Sequence, residues 1–407
     1  MRIVVVNHCH PATPHICATR AREFSLALAR RGHQVALLTE TLPGGDPVPA
    51  PKDIAELLEA GGAPSPMLVA CPPARRPMLR SVRGGYWPAG FQQALVAYQF
   101  LAHGGMFFDW RTGAAPYVRV LAERFRPEVV WATFGNTDSW AIAQNLARFS
   151  GCPWVADVKD FWAGFIPAPL RSRLAKRFGD AAALTALSRT HAEAARPWFK
   201  REFEVVYSGF AGDAIRRDPL PSGAELVLTL TGSTYGATAL ERLLGALKRW
   251  GERQDPALRS RLRFAYYGNE WRAVGAALAR VRLPFGAVAH GFQPVEELQA
   301  RHRAALANLY VTSPRTFHHK ATELLAARRP VVAFPADHPE AVELARRAGV
   351  PFANCTTPDD VERALDEALA RRSDDSPVAP GLEELRWDRQ AEALERVLRD
   401  AATRTRS

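Results

Sequence analysis

The sequence predicts an α/β protein of two Rossmann-like domains, each a doubly wound parallel sheet with helices on both faces. Three observations carry this prediction. The 407 residues exceed what one ordinary core occupies and suit two domains of nearly equal size. Short apolar strands alternate with amphipathic helices along nearly the whole chain, and such alternation implies parallel strands joined by crossover helices. Between residues 209 and 223 this text gives way to Gly, Asp and Pro and then starts afresh, which marks an interdomain linker.

The first series opens with the apolar strand 3–6. A helix over residues 19–31 follows, with Ala21, Phe24, Ala27 and Leu28 at helical spacing and Gly32-His33 as its stop, and then the strand 35–39. Residues 42–83 are rich in Pro and Gly and read as an irregular insertion. Alternation resumes with a helix near 116–126, the strand 129–132, a helix near 138–149 and the strands 154–156, 183–186 and 204–207, with a helix after Ser188. The second series has strands at 226–230, 264–267, 287–289, 308–311 and 330–334. A last helix, with Trp387, Ala391, Leu394 and Leu398 on one face, is a separate packing element expected to cross back to the first domain. The expected division is 1–212, 213–380 and the terminal helix 381–407.

Bulk properties narrow the function classes. With 47% hydrophobic and 23% charged residues the chain sits far from the regime of disorder. Every apolar stretch is interrupted by charge before the roughly 20 residues that a spanning helix needs. Met1-Arg2-Ile3-Val4 runs straight into a strand without a cleavable leader, so a cytoplasmic location is expected. The five cysteines are scattered, odd in number and without CxxC spacing, which fits free thiols and gives neither a disulfide framework nor a metal site support. The net charge of +11 implies an anionic partner: nucleic acid, a phosphorylated small molecule or an acidic membrane surface. Zinc-finger spacing, an RNP-like aromatic strand and a basic heptad region are all absent, which disfavours nucleic acid.

Open parallel sheets bind ligands at the carboxyl ends of their strands, so the residues after each strand are the informative ones. After the first strand, residues 7–15 hold His8, His10 and His15. Their spacing fits no standard zinc pattern, which leaves polar loop residues, His10 among them, facing a cleft. Arg20, near a helix start, either greets a phosphate or is a solvated helix charge. After the strand at 154–156 come Asp157, Asp160 and Trp162. The carboxylates suit sugar hydroxyls or general-base work, or else form a helix cap beside a buried indole; residue types do not choose. In the second series Thr231-Gly232-Ser233-Thr234-Tyr235-Gly236 is a small-residue turn before a helix, whose N–H groups suit a diphosphate, although it is not GxGxxG. Phe292, following the strand at 287–289, is assigned to the donor side. Residues 313–327 lead a donor-rich loop into a helix with Lys320 and Glu323 at i, i+3. Lys320 would lie in the first turn, where the dipole also favours an anion, and Glu323 suits the two hydroxyls of a ribose. The bland alternative is an exposed ion pair worth at most about 1 kcal/mol.

Together these segments resemble the bacterial group 1 (family 4) glycosyltransferases, the surface-polysaccharide branch in particular, over nearly the whole chain. Residues 31–35 look like the family's opening, 153–162 like its "pWvaDfRDpW" segment and 184–188 like "itavS". Residues 230–236 are similar to "ytGtlYg" and 320–331 to "KlfEyLaagrPv", with the order preserved. The chain departs from the pattern in three places: the first loop lacks Gly-Gly, Lys159 stands for an Arg, and Arg315 stands for the earlier Glu of a Glu-x7-Glu pattern.

The resemblance implies a GT-B fold and a metal-independent, retaining transferase without a cofactor, taking its sugar from a nucleotide-sugar donor. Lys320 and Arg315 would stabilise the leaving diphosphate, the Thr231 to Thr234 turn would hold it, and Glu323 would hold the ribose. The implied acceptor is a glycan or a lipid-linked glycan, with the basic residues Arg75, Arg76, Arg80 and Arg83 and the stretch 171–177 touching an anionic membrane. The alternatives are a GT-B nucleotide-sugar epimerase and a non-catalytic homologue that binds a partner transferase.

Overall fold

The structure, a computed structural model, describes residues 1–212, 219–221, 223–313, 317–318, 320–374 and 379–404. The chain divides into two compact units, one formed by Met1–Ser208 with Trp387–Ser407 and one by Gly209–Arg386.

The first unit is built on a seven-stranded parallel sheet. Its strands are β1 (Arg2–Val6), β2 (Gln34–Glu40), β3 (Met67–Cys71), β4 (Val129–Thr133), β5 (Trp154–Val158), β6 (Ala183–Ala186) and β7 (Glu204–Val205), in the spatial order β3-β2-β1-β4-β5-β6-β7. Successive side chains of a strand point to opposite faces, and a sheet covered on both sides therefore needs continuous apolar runs. In β1, Val4 and Val6 join one core with Ala36, Leu38, Val130 and Ala132. Ile3 and Val5 join the other with Val35, Leu37, Val129 and Trp131. That second core is closed by Phe24 of the helix Ile16–Arg30 and by Trp387, Ala391, Leu394 and Leu398 of the last helix, Trp387–Arg404. Arg31 Nε and His33 Nε2 reach Glu395 of that helix at 2.5 and 3.0 Å.

Residues 42–83 are more regular than their composition suggests. They hold the helix Pro51–Glu59 and β3, which extends the sheet by pairing in parallel with β2. The Pro and Gly residues flank these elements instead of interrupting them, so punctuation was mistaken for irregularity.

The second unit has a six-stranded parallel sheet of β8 (Leu226–Thr231), β9 (Leu262–Tyr267), β10 (Gly286–His290), β11 (Ala307–Val311), β12 (Val331–Phe334) and β13 (Phe352–Asn354), in the order β10-β9-β8-β11-β12-β13. Leu226, Leu228 and Leu230 pack with Leu243, Leu247 and Trp250 of the helix Ala237–Arg253. In both sheets the order reverses beside the first strand of the unit. Those two positions, β1/β4 and β8/β11, are where an open sheet leaves a crevice at its carboxyl edge.

Candidate functional site

At the β8/β11 reversal, the residues after β8 meet the start of the helix Lys320–Ala326. Gly232 adopts φ +76°, a conformation costly for residues with a Cβ. A Cβ there would run into Lys320 Nζ and lie 2.6 Å from its Cε, so this glycine keeps open the space that the lysine fills. Lys320 Nζ donates to the Thr231 carbonyl, while the buried Thr231 hydroxyl has no hydrogen-bond partner among the described residues. Lys320 and Glu323 are both half-buried. Burial pushes the lysine down to about 8, against the pull of Glu323 and Glu270, and pushes Glu323 up to about 7, against Lys320.

The turn itself differs from the expectation in one respect. Gly232 N donates to Tyr267 O at 2.9 Å, and Thr234 gives both its N–H, at 3.2 Å, and its hydroxyl to the Glu270 carboxylate. Two of the N–H groups assigned to a diphosphate are thus engaged within the protein. Among the described residues, what remains for an anion is Lys320, the exposed Ser233 and the start of the helix Ala237–Arg253, whose cap Gly236 supplies no side-chain hydrogen bond. Tyr266 braces the turn from below, its hydroxyl donating to Gly232 O at 2.8 Å. His318, under the exposed ring of Tyr235, is fixed between Ser313 N–H at 3.1 Å and Asp337 at 3.1 Å, and Tyr310 donates to the same Asp337 at 2.5 Å. Phe292 is exposed on the loop after β10, the edge strand two positions from β8. Arg315 lies outside the described residues.

In the first unit the structure separates residues that the sequence reading grouped. Arg20 and Asp157 are buried and bound to each other, Nε to Oδ2 at 3.2 Å and Nη2 to Oδ1 at 3.0 Å. Arg20 also donates to Val206 O at 2.9 Å and Ser208 Oγ at 3.3 Å, and Asp157 accepts from the Thr185 hydroxyl at 2.8 Å. Neither presents a polar atom to solvent, so the pair is an internal tie and not the phosphate cation and base expected of it. Trp162 is likewise core: it stacks on Trp140 at 5.6 Å between Phe134 and Phe199, and is not a cleft residue. His10 is half-buried in the loop after β1, accepting from Ala12 N–H.

Asp160 belongs to a different constellation, at the β1/β4 reversal. Its Oδ2 accepts from buried Lys159 at 2.6 Å, and Lys159 Nζ also sits 2.5 Å from Cys17 Sγ. Burial alone would lower Lys159, but the Asp160 carboxylate and the Cys17 sulfur hold it above its ordinary value. The hydrogen bond from Cys9 and the charge of Lys159 overcome burial and take the Cys17 thiol well below its own. Cysteines that looked isolated in the sequence are therefore neighbours in the fold.

No protein-family model matches the chain, and no curated protein matches it in sequence. Solved structures do match it over nearly their whole length. Sucrose-phosphate synthase from Thermosynechococcus elongatus is 14% identical with a TM-score of 0.62, over 99% of this chain and 96% of that one. HepE from Anabaena, solved with UDP-glucose, is 14% identical with a TM-score of 0.57, over 99% and 97%. The N-terminal domain of Candida albicans trehalose-6-phosphate phosphatase is 11% identical with a TM-score of 0.67, over 98% and 96%. The fold is GT-B.

Within this GT-B chain the sequence reading passed over Glu270, which stands at the end of the β9 turn and could have been found by inspecting the residues after every strand. It named the arginines of the segment 75–83 but passed over the exposed apolar residues that follow them. The helix Ala89–His103 buries only Gln99, although Phe91, Tyr98 and Leu101 are large and exposed. Tyr86, 82% exposed, and Met78 are also exposed in the preceding residues, as are Arg75, Arg76 and Arg80. Arg83 is otherwise engaged, paired with Asp109 by two bonds of 2.7 Å. No helix among the described residues is long and apolar enough to cross a membrane.

Proposed function

We propose that the second unit binds the diphosphate of a nucleotide sugar at Lys320 and that the protein transfers the sugar, with retention, to a glycan or lipid-linked acceptor in surface-polysaccharide synthesis. The observation that carries the reading is a half-buried lysine at the sheet reversal that donates to the Thr231 carbonyl, beside a buried hydroxyl with no partner among the described residues and near a helix start without a side-chain cap. An anion there exchanges a carbonyl for a charge-assisted bond. As the sugar departs, charge grows on the diphosphate, and Lys320 stabilises it more in the transition state than in the ground state. Glu323, one turn along the same helix, takes the ribose hydroxyls. Asp160 is retained as the acceptor-side carboxylate, whereas Asp157 and Arg20 serve the fold. The cationic charge comes from the protein, so the donor needs no bridging metal.

The exposed aromatic and basic surface of residues 75–103 supports a peripheral seat on an anionic membrane. Vesicles rich in phosphatidylserine are expected to sediment the protein and neutral vesicles to leave it in solution, with Phe91→Ser plus Leu101→Ser releasing it. Equal binding to both vesicle types would remove this part of the reading.

The deciding experiment is a panel of UDP, GDP, ADP and dTDP, with and without added Mg²⁺, scored by thermal shift, followed by the matching nucleotide sugars with the purified chain alone. One nucleotide is expected to raise Tm without magnesium, since a ligand of the native state stabilises by mass action. No shift with any of them defeats the donor site. Conversion of a nucleotide sugar to its epimer, without glycan product, defeats the transferase.

A further inference from the structure

The loop after β1 gathers a group of side chains that donor binding leaves unused. Cys9, His15 and Cys17 bring one sulfur or nitrogen each to a common point, all within 4.8 Å of one another. Two thiols and an imidazole are a soft donor set, suited to Zn²⁺ and poorly suited to Mg²⁺ or Ca²⁺. The group is also fixed in place. Asn7, itself an acceptor for Thr133 Oγ1 at 2.7 Å, donates its amide to the carbonyls of Cys9 at 2.9 Å and Cys17 at 3.2 Å. His15 caps the helix Ile16–Arg30, its Nδ1 accepting from Cys17 N at 3.2 Å. Behind Cys17, the buried Lys159 supplies the kind of outer donor that a metal-bound thiolate keeps, and Asp160 holds Lys159 in turn.

Charge supports the same assignment. Two thiolates cancel the charge of a divalent ion, and Lys159 and Asp160 cancel each other, so the filled site buries no net charge. Without an ion, the cluster places an ammonium, a carboxylate and two sulfurs together, Cys17 and Lys159 being almost wholly buried.

We propose that Cys9, His15 and Cys17 bind one Zn²⁺ ion, with Lys159 as the positioning residue for the Cys17 sulfur and the fourth position of the tetrahedron left to water. Binding releases the thiol protons to solvent and changes no oxidation state. The ion would pin the loop after β1 to the helix that follows it.

The test uses the full chain, stripped with a chelator and titrated with Zn²⁺ alone or Co²⁺ alone. The expected result is one ion per chain, a raised Tm, and the strong visible and near-ultraviolet bands of tetrahedral cobalt with thiolate ligands. Cys9→Ser, Cys17→Ser and His15→Ala should each lose those bands, and Cys152→Ser should keep them. Lys159→Met should keep the stoichiometry but bind about 10- to 100-fold more weakly, as loss of an outer partner does, with Lys159→Arg restoring part of the loss. Should a cysteine variant fail to fold, zinc protection of the wild-type thiols from alkylation replaces it. Absence of bound ion, a pale octahedral cobalt spectrum indifferent to the variants, unprotected thiols, or a Cys9–Cys17 disulfide in the purified protein would each overturn the proposal.

Discussion

Gly232→Ala isolates the position of one ammonium group, and Gly223→Ala provides its control in the same unit. Both glycines are left-handed, at φ +76° and +82°. A methyl group at Gly223 meets nothing within 4 Å, whereas one at Gly232 falls on Lys320 Nζ. The backbone cost is shared, about 1–2 kcal/mol for an L-residue in the left-handed region. The lysine end is flexible and swings aside at little further cost, so both variants should lose similar stability. Their ligand affinities should part. A hydrogen bond to a charged group contributes about 1.5–3 kcal/mol, and its loss weakens binding about 10- to 150-fold. Calorimetric titration of each variant with the nucleoside diphosphate that most stabilises the wild type measures this, and urea unfolding measures the shared term. Equal affinities in the two variants would refute the placement of Lys320 on the phosphates. A much larger stability loss in Gly232→Ala would show that the lysine cannot move.

Two further outcomes concern the same site and a third the buried pair of the first unit. Lys320→Ala should lower kcat, because its partner gains charge in the transition state, whereas Glu323→Ala should mainly raise KM, because a ribose is remote from the breaking bond; steady-state kinetics with circular dichroism on both variants checks the split. Raising the pH should weaken diphosphate binding across the interval from about 7 to about 8, since Glu323 gains negative charge and then Lys320 loses its positive charge; affinity that is flat or rising over that range contradicts the assignment. Arg20→Ala should destabilise the first unit by about 3–5 kcal/mol, as it leaves Asp157 buried without its cation, and should leave nucleotide affinity unchanged; wild-type stability in urea would show that the pair is dispensable.

The strands that the sequence revealed were those with apolar runs, such as residues 3–6 and 331–334, because both faces of these sheets are covered. β3 escaped notice because it is a short edge strand between Pro-rich flanks, and β13 because three residues give no period to read. Lys320 and Glu323 stood out through the resemblance of residues 320–331, since their i, i+3 spacing alone suits an exposed ion pair equally well; the structure places both half-buried on one helix. Arg20 and Asp157 were misread because a charged residue after a strand looks alike whether it faces water or a partner 137 positions away in the chain. The Cys9, His15 and Cys17 group has no standard ligand spacing, and it is the turn from β1 into the next helix that assembles it, with Lys159, just after β5, against Cys17.

The last helix has a consequence for how the chain is made. The apolar side of β1 and β4 is roofed partly by residues 387–404, yet between Ser208 and Trp387 the polypeptide builds an entire second unit. During synthesis the second unit has all its strands before the first has its roof, so Trp131, Leu37 and Phe24 wait on the ribosome with one side uncovered. Domains emerge at about 5–20 residues per second, which makes that wait roughly ten seconds or longer. A chain ended before Trp387 would make the wait permanent, and the expected product has a sound second unit and a first unit that aggregates.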